Sequence, residues 1–388
     1  MLPPVNEVSE IRRALPTDSH SIADIYRTVY RGRYPNALMN QPAALADYLA
    51  REDVLWVVAC AGAKIVGSVV HEIDDAHRLC RVFGGVVRQE YRGSGLLERT
   101  MRHGQDMLMD RADRVDVIYA TTRTASPAPQ IVTRRMGYVP LGIFPNARRT
   151  DVDETHCLAA FYAAPALRNR FTELRLHPRL ARLFDLVREQ LPLPSPALAG
   201  ANDLMLDEYS RQVPIEPIFA EAFVSHRFAS LRAQGLLASH FFPFHQPNMM
   251  LTSPCQMVEV FAHLTAADKA CTVVAVRKPR DVNLTWLAEA CFPVLRDRGV
   301  RTVELLVHAD KPKTIERVLR ARFIPCAYVP AFQMADGFRR DFVSFNRVFD
   351  MPDFRGLRLD GRNREFLDEY LRGLDEYYLT PRAEVSTQ

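Results

Sequence analysis

The sequence predicts an α/β chain of the mixed α+β kind, built as two domains, each a central mixed β-sheet flanked by helices. Three observations lead there. Strand-type runs and helical runs with 3.6-residue apolar spacing alternate from Glu10 onward. One β-type run, Leu79–Val87, passes through the turn Arg92-Gly-Ser-Gly95 into a long helical pattern, Leu96–Met109. Finally, Asp297–Pro325 parallels Asp110–Pro140, and with the flanking strands and helix this makes a repeat of roughly 100 residues that signals duplicated domains and not a solenoid. A chain of 388 residues also suits two or three domains at about 100–200 residues each.

The elements follow in order. Glu10–Leu15 reads as a short strand, and Pro16-Thr17-Asp18 supplies turn and cap chemistry. Ile22, Ile25, Tyr26, Val29 and Tyr30 then fall on one helical face, and a polar loop over 31–42 leads to a second helix, Ala43–Arg51. Val54–Ala61, Ile65–Ile73 and Leu79–Val87 are strands separated by turns at Gly62-Ala63-Lys64 and around Asp74–Arg78. After the long helix, Asp113–Arg123 is apolar enough to be a strand buried on both faces. Pro127–Met136 is a helix stopped by Gly137, and Tyr138–Phe144 and Glu154–Tyr162 are strands.

Composition narrows the function classes. Charged residues make up 25%, hydrophobic ones 48%, and the formal net charge is +4. These values fit an ordinary globular protein, with no basic patch that asks for nucleic acid. The seven cysteines are odd in number and form no CxxC, so they read as small hydrophobes in a reducing cytoplasm. No run of about 18 apolar residues and no leader pattern is present, which predicts no membrane segment.

The turn Arg92–Gly95 carries the chemistry. Two glycines around Ser94 let backbone N–H groups converge at a helix start, where they have no internal acceptor and the helix dipole favours an anion. Arg92 adds a fork of donors suited to phosphate. The inferred ligand is a pyrophosphate. The glycines read GxGxxE and no GxxxxGK[ST] occurs, which disfavours a dinucleotide fold and a P-loop. The run Val87–Gly95, V-x-x-x-Y-R-G-x-G, resembles the pyrophosphate loop of the GNAT superfamily of acyl-CoA-dependent N-acyltransferases, with Leu97 where that family has a small residue. The element order β-αα-βββ-α-β-α-ββ and the segment Arg134–Pro145 are similar to that family too, over about residues 10–165.

The resemblance implies acetyl-CoA or another acyl-CoA as cosubstrate, held by Gly85, Val86, Val87, Arg92, Gly93, Ser94, Gly95 and Leu96, with Thr121 and Thr122 across an opening between two strands. It puts the family's thiolate-protonating Tyr on Thr133 and its helix-start Asn on Ser126. The family's frequent strand carboxylate has no counterpart in Arg81–Gly85. Other titratable candidates are His71, Glu72 and Tyr119; strand alternation turns His71 and Glu72 to opposite faces, so at most one serves as the base. His71 and His77 lack a third ligand, and no metal is expected.

Leu167–Gln190 reads as a basic amphipathic connecting helix, and Leu191–Asp203, with three prolines, as a linker. The second half shows strands Met257–Leu264 and Cys271–Arg277, a helix Leu284–Arg296, the repeat, a strand Asp341–Phe349 and a final helix Asn363–Tyr378. Its counterpart turn, Lys278–Asn283, has no glycine and contains Pro279, so it is a poor phosphate nest. The half therefore reads as a degenerate GNAT-like domain, with one CoA per chain. The irregular stretch His240–Pro254 is a candidate wall for an amine pocket, or simply a cover for the core. Domain limits are 1–165, 166–203 (linker), 204–350 and 351–388 (helix and tail). The expected activity is transfer of an acyl group to an amine of a small metabolite in the cytoplasm, with oligomers possible and neither nucleic acid nor membrane as partner. The alternative is a non-catalytic acyl-CoA sensor of the same fold.

Overall fold

A computed structural model describes residues 8–32, 34, 36–110, 114–149, 153–237 and 241–379. Asp113 and His240, where two predicted segments begin, lie outside the described residues. In chain order the elements are β1 (Glu10–Arg13), α1 (Ser19–Tyr30), α2 (Pro42–Leu49), β2 (Val54–Ala61), β3 (Lys64–Asp74), β4 (Leu79–Val87), α3 (Leu96–Met109), β5 (Val117–Arg123), α4 (Ala128–Arg135), β6 (Val139–Arg149), β7 (Asp153–Tyr162) and α5 (Ala164–Arg168). There follow β8 (Arg175–Leu176), α6 (Ala181–Arg188), β9 (Ala197–Leu198), α7 (Ala201–Leu204), β10 (Glu216–Ile218), α8 (Glu221–Ala233), β11 (Met249–Thr252), β12 (Glu259–Thr265), β13 (Ala270–Arg277), α9 (Leu284–Asp297), β14 (Thr302–His308), α10 (Pro312–Arg320), β15 (Ile324–Ala335), β16 (Phe338–Val348) and α11 (Gly361–Leu374).

The chain divides into two compact units. The first comprises Met1–Thr121, Ala128–Val139 and Ala159–Arg168. Its strands run in the order β1-β2-β3-β4-β5, antiparallel except for the β4/β5 pair. Every residue of β2 is buried, because the sheet is covered on both faces. Trp56, Val58 and Val70 join Ile22, Tyr26 and Leu45 of α1 and α2 on one face. Val57, Val69 and Ile118 join Met101 and Leu108 of α3 on the other. Period-two alternation thus feeds two cores from one set of strands.

The second unit comprises Thr122–Pro127, Pro140–Leu158 and Asn169–Gln388. Its sheet follows the order β7-β6-β15-β16-β14-β13-β12-β11-β10. The chain limit expected at 165 is therefore not where compactness divides it, since β6 and the start of β7 pack with the second half. Gly142 explains the attachment. It pairs with Ala327 of β15, and a Cβ there would stand 2.3 Å from the Cys326 carbonyl oxygen, so only glycine permits this approach. Beyond that seam, β13 and β14 are parallel and joined through α9, as β4 and β5 are through α3.

Three expectations change. The helix over Leu167–Gln190 is broken: α5 stops at Arg168 and α6 starts only at Ala181, after Pro178. Arg170 is drawn out of it into a buried ion pair with Asp341, 2.6 Å at its shortest. The stretch after residue 240 is not wholly irregular, because β11 occupies Met249–Thr252; Phe241 packs on Phe332 and Phe342 of its own unit. The final helix is regular only to Leu374, and Asp375–Leu379 widens into a π-turn.

Candidate active site

The first unit builds its site at the end of β4. Pairing between β4 and β5 covers Leu79 to Val82 against Val117 to Ala120 and then stops, although both strands continue. From Phe83 onward β4 keeps only β3, with a register shift opposite Ser68–Val70 that throws out Gly84 and Gly85. Gly84 sits at φ 67°, and its carbonyl accepts a hydrogen bond from Tyr26 Oη. One strand edge is thereby opened where backbone N–H and C=O groups can meet an extended ligand.

The glycine turn follows at once. Gly93 and Gly95 adopt φ 81° and 73°, and no atom lies within 4 Å of where a Cβ would stand on either. Gly95 caps α3 without any side-chain acceptor, so the first N–H groups of a 14-residue helix point outward. Ser94 Oγ donates to the Tyr91 carbonyl at 2.7 Å, which fixes the turn. Tyr91 is itself buried with Leu96 and Val66. Buried Arg88 ties the approach, donating to Ile65 O at 2.9 Å and to Asp24 at 2.7 Å. The arrangement has the geometry of an anion cradle beside a strand edge that β5 has left.

The sequence profile of the acetyltransferase (GNAT) family matches residues 19–138. That stretch, less than a third of the chain, matches a GNAT acetyltransferase domain. No curated protein matches the sequence. Among solved structures, a GNAT-family acetyltransferase from Streptococcus pneumoniae shares 16% identity with a TM-score of 0.36, over 40% of this chain and 99% of that one. The ribosomal-protein-S18-alanine N-acetyltransferase from Escherichia coli shares 19%, TM-score 0.34, over 39% and 92%. An aminoglycoside 6′-N-acetyltransferase complexed with coenzyme A shares 15%, TM-score 0.33, over 39% and 96%.

Within the GNAT domain the predicted residues separate. Gly85, Val86, Val87, Arg92, Gly93, Ser94, Gly95 and Leu96 lie together along the β4 edge and the turn. Arg92 is exposed, its Nε 3.4 Å from the Val87 carbonyl oxygen. Leu97 reaches back over β4, its Cδ1 3.1 Å from where a Gly85 Cβ would be. Thr122 and Ser126 belong to the second unit, the first buried and the second exposed. Thr133 is buried in α4, and its hydroxyl donates to the carbonyls of Pro129 and Gln130 in its own helix, the usual engagement of a mid-helix Thr.

His71 and Glu72 take opposite faces. His71 is 1% exposed and presses on α3, where a Cβ on Gly104 would stand 2.2 Å from its Cε1. Neither ring nitrogen has a hydrogen-bond partner among the described residues. Burial pushes its pKa down to about 4, with the nearby Leu55 carbonyl opposing, so the imidazole is neutral and sealed. Glu72 faces α2 and accepts from Arg81 at 2.6 Å, with Arg51 at 3.8 Å. Arg81 is the register partner of both Glu72 and Tyr119 and lies over the Phe83 ring. Burial pushes the Tyr119 and Tyr48 hydroxyls up, with the Glu72 charge adding to both. Sequence reasoning named Glu72 and Tyr119 but missed Arg81 and Tyr48 in this polar row, and it missed the wall of Tyr26, Tyr30 and Tyr34, whose rings lie 4.7 to 6.3 Å apart. The i, i+4, i+8 spacing of those tyrosines was the available signal, and it reads equally well as core.

The second unit's counterpart turn differs. Asn283 caps α9, its side chain accepting from Trp286 N at 2.9 Å. Lys278 Nζ donates to the Val282 and Pro279 carbonyls at 2.6 and 3.3 Å. That helix start already has its own acceptor. Among the described residues no cluster of His, Cys, Asp and Glu could hold a metal, and no helix is long and apolar enough to cross a membrane.

Proposed function

We propose that the GNAT domain transfers the acyl group of an acyl-CoA, acetyl-CoA foremost, to an amine on a small molecule, and that each chain binds one CoA. The observation that carries this reading is the pair of left-handed glycines opening α3 beside the β4 edge that β5 has left. The cradle holds the pyrophosphate, and the β4 edge takes the amide-bearing arm by backbone hydrogen bonds. The bound thioester supplies the activated acyl carbon. A backbone N–H at Gly85–Val86 steadies the carbonyl oxygen as the amine nitrogen attacks. The new C–N bond forms as the C–S bond breaks, the amine loses a proton to water and the departing sulfur takes one up. Glu72 and Arg81, beside Tyr48 and Tyr119, set the charge of the acceptor's surroundings. The second half supports the one-CoA stoichiometry by its capped helix start.

Calorimetry of CoA on Gly95→Val tests the cradle. The β-branched side chain strains the left-handed backbone and fills the space at the helix start, so binding should vanish while the protein stays folded. Unchanged affinity would remove the cradle from the argument, and two equivalent sites per chain would defeat the stoichiometry. A second reading has its own support: with His71 sealed and Thr133 bonded within its helix, the chain senses acyl-CoA without turning it over. Release of CoA thiol from acetyl-CoA, assayed across a panel of amines, separates the two. Binding with no release for any amine selects the sensor.

A further inference from the structure

The second unit contains a cavity of about 250 Å³ that the proposed acyl transfer does not use. It lies between the strands β11–β14 and the helices α9 and α10, walled by Leu251, Val274, Leu287, Phe292, Val303 and Val318 among others. Its position has a cause in the sheet. Parallel pairing of β13 with β14 ends at Val273 and Leu305, yet β13 runs on to Arg277 and β14 to His308. The strands separate, and the space between them and the overlying helices is what remains. Several lining residues, Val276, Leu284 and Leu306 included, are only partly buried, so the cavity reaches solvent.

Its chemistry is one-sided. Apolar side chains form nearly all of the wall, and the polar lining is confined to His308, Lys311 and Thr314 where β14 passes into α10. Lys311 is the one lining residue with a permanent charge. Neighbouring Asp310 is within 4.0 Å of both the His308 ring and the Arg340 guanidinium. An apolar cavity of about 150 Å³ already admits benzene. An apolar chamber with its single cation where β14 passes into α10 matches an aliphatic chain bearing one anionic group.

We propose that this cavity binds a medium-chain aliphatic carboxylate, its chain of roughly eight to ten carbons among the apolar walls and its carboxylate at Lys311 and Thr314. The site is separate from the glycine cradle and does not depend on catalysis there. The probe is decanoate, titrated calorimetrically into the full chain, with decanol and decanoyl-CoA as comparison arms. One decanoate per chain is expected, bound at least tenfold more tightly than decanol. Lys311→Met should abolish that preference and leave decanol binding intact. Ala288→Phe, which fills the cavity from α9, and Leu284→Phe near its open side should each weaken both ligands tenfold or more. Circular dichroism identifies either variant if it fails to fold, and the other then decides. Gly95→Val should lose CoA and keep decanoate. Absence of decanoate binding, equal affinity for decanol, or loss of decanoate in Gly95→Val would each overturn the proposal. So would a preference for decanoyl-CoA that survives Gly95→Val, which would make the thioester, not the free acid, the occupant.

Discussion

Lowering the pH should destabilise the first unit, and the structure sets the share of that loss that His71 carries. The unfolded imidazole titrates near 6.5, whereas burial holds the folded one at about 4. A histidine with a depressed folded pKa favours the folded state fully above 6.5. That stability is lost as pH falls from 6.5 toward 4, because the unfolded chain takes up the proton first. At pH 5 the difference comes to about 2 kcal/mol, and below pH 4 to about 3 kcal/mol. Trp56 offers a local reporter, since it is 1% exposed and bonded to Ser68 in the first unit. Only one other tryptophan exists, Trp286, and Trp286→Phe silences it. Urea unfolding followed by Trp56 fluorescence at pH 7.5 and pH 5 should show the loss, and His71→Leu should reduce it by about that amount. Equal losses in the two proteins would refute the placement of His71 in a closed core.

Arg92→Ala should weaken CoA binding by about 1.5–3 kcal/mol, the worth of one charge-assisted bond; calorimetry that shows no change would place Arg92 off the phosphates. Gly104→Ala forces a methyl to within 2.2 Å of His71. Overpacking of about 1–3 kcal/mol then exceeds the helix-propensity gain of about 1. Adding His71→Ala should recover most of the loss, and additive effects in urea titrations would deny the contact. Burial pushes Glu304 up to about 7, with Ser344 opposing. The second unit should therefore lose stability as pH rises from 4.5 through 7, the reverse slope, and Glu304→Gln should flatten it in unfolding monitored by Trp286.

Much of the first unit was legible because its signals are local. Strand and helix periods, Gly137 at φ 84° after α4 and the Gly93–Gly95 turn each depend on neighbours within a few residues. The direction of His71 was only half legible: alternation separates it from Glu72, but which face closes depends on Gly104, 33 positions away. The role of Tyr26 hangs on a carbonyl 58 residues distant. The break in the connecting segment had a local sign in Pro178, and the reason for it, Arg170 meeting Asp341, is 171 residues away. Nothing near Pro140–Leu158 announces that it packs with β15, because the requirement is one bare glycine against a distant backbone.

That seam at Gly142 orders events in time. A ribosome releases β6 long before it makes Ala327, and at about 5–20 residues per second the wait is roughly 10–40 s. The preceding strands and helices need only Ala159–Arg168 from beyond β6 and can close on themselves meanwhile. The β6–β7 ribbon keeps an unsatisfied edge until β15 arrives, a template for the wrong partner in a crowded cell. Vectorial synthesis thus makes the middle of this chain, not its ends, the stretch most in need of a chaperone.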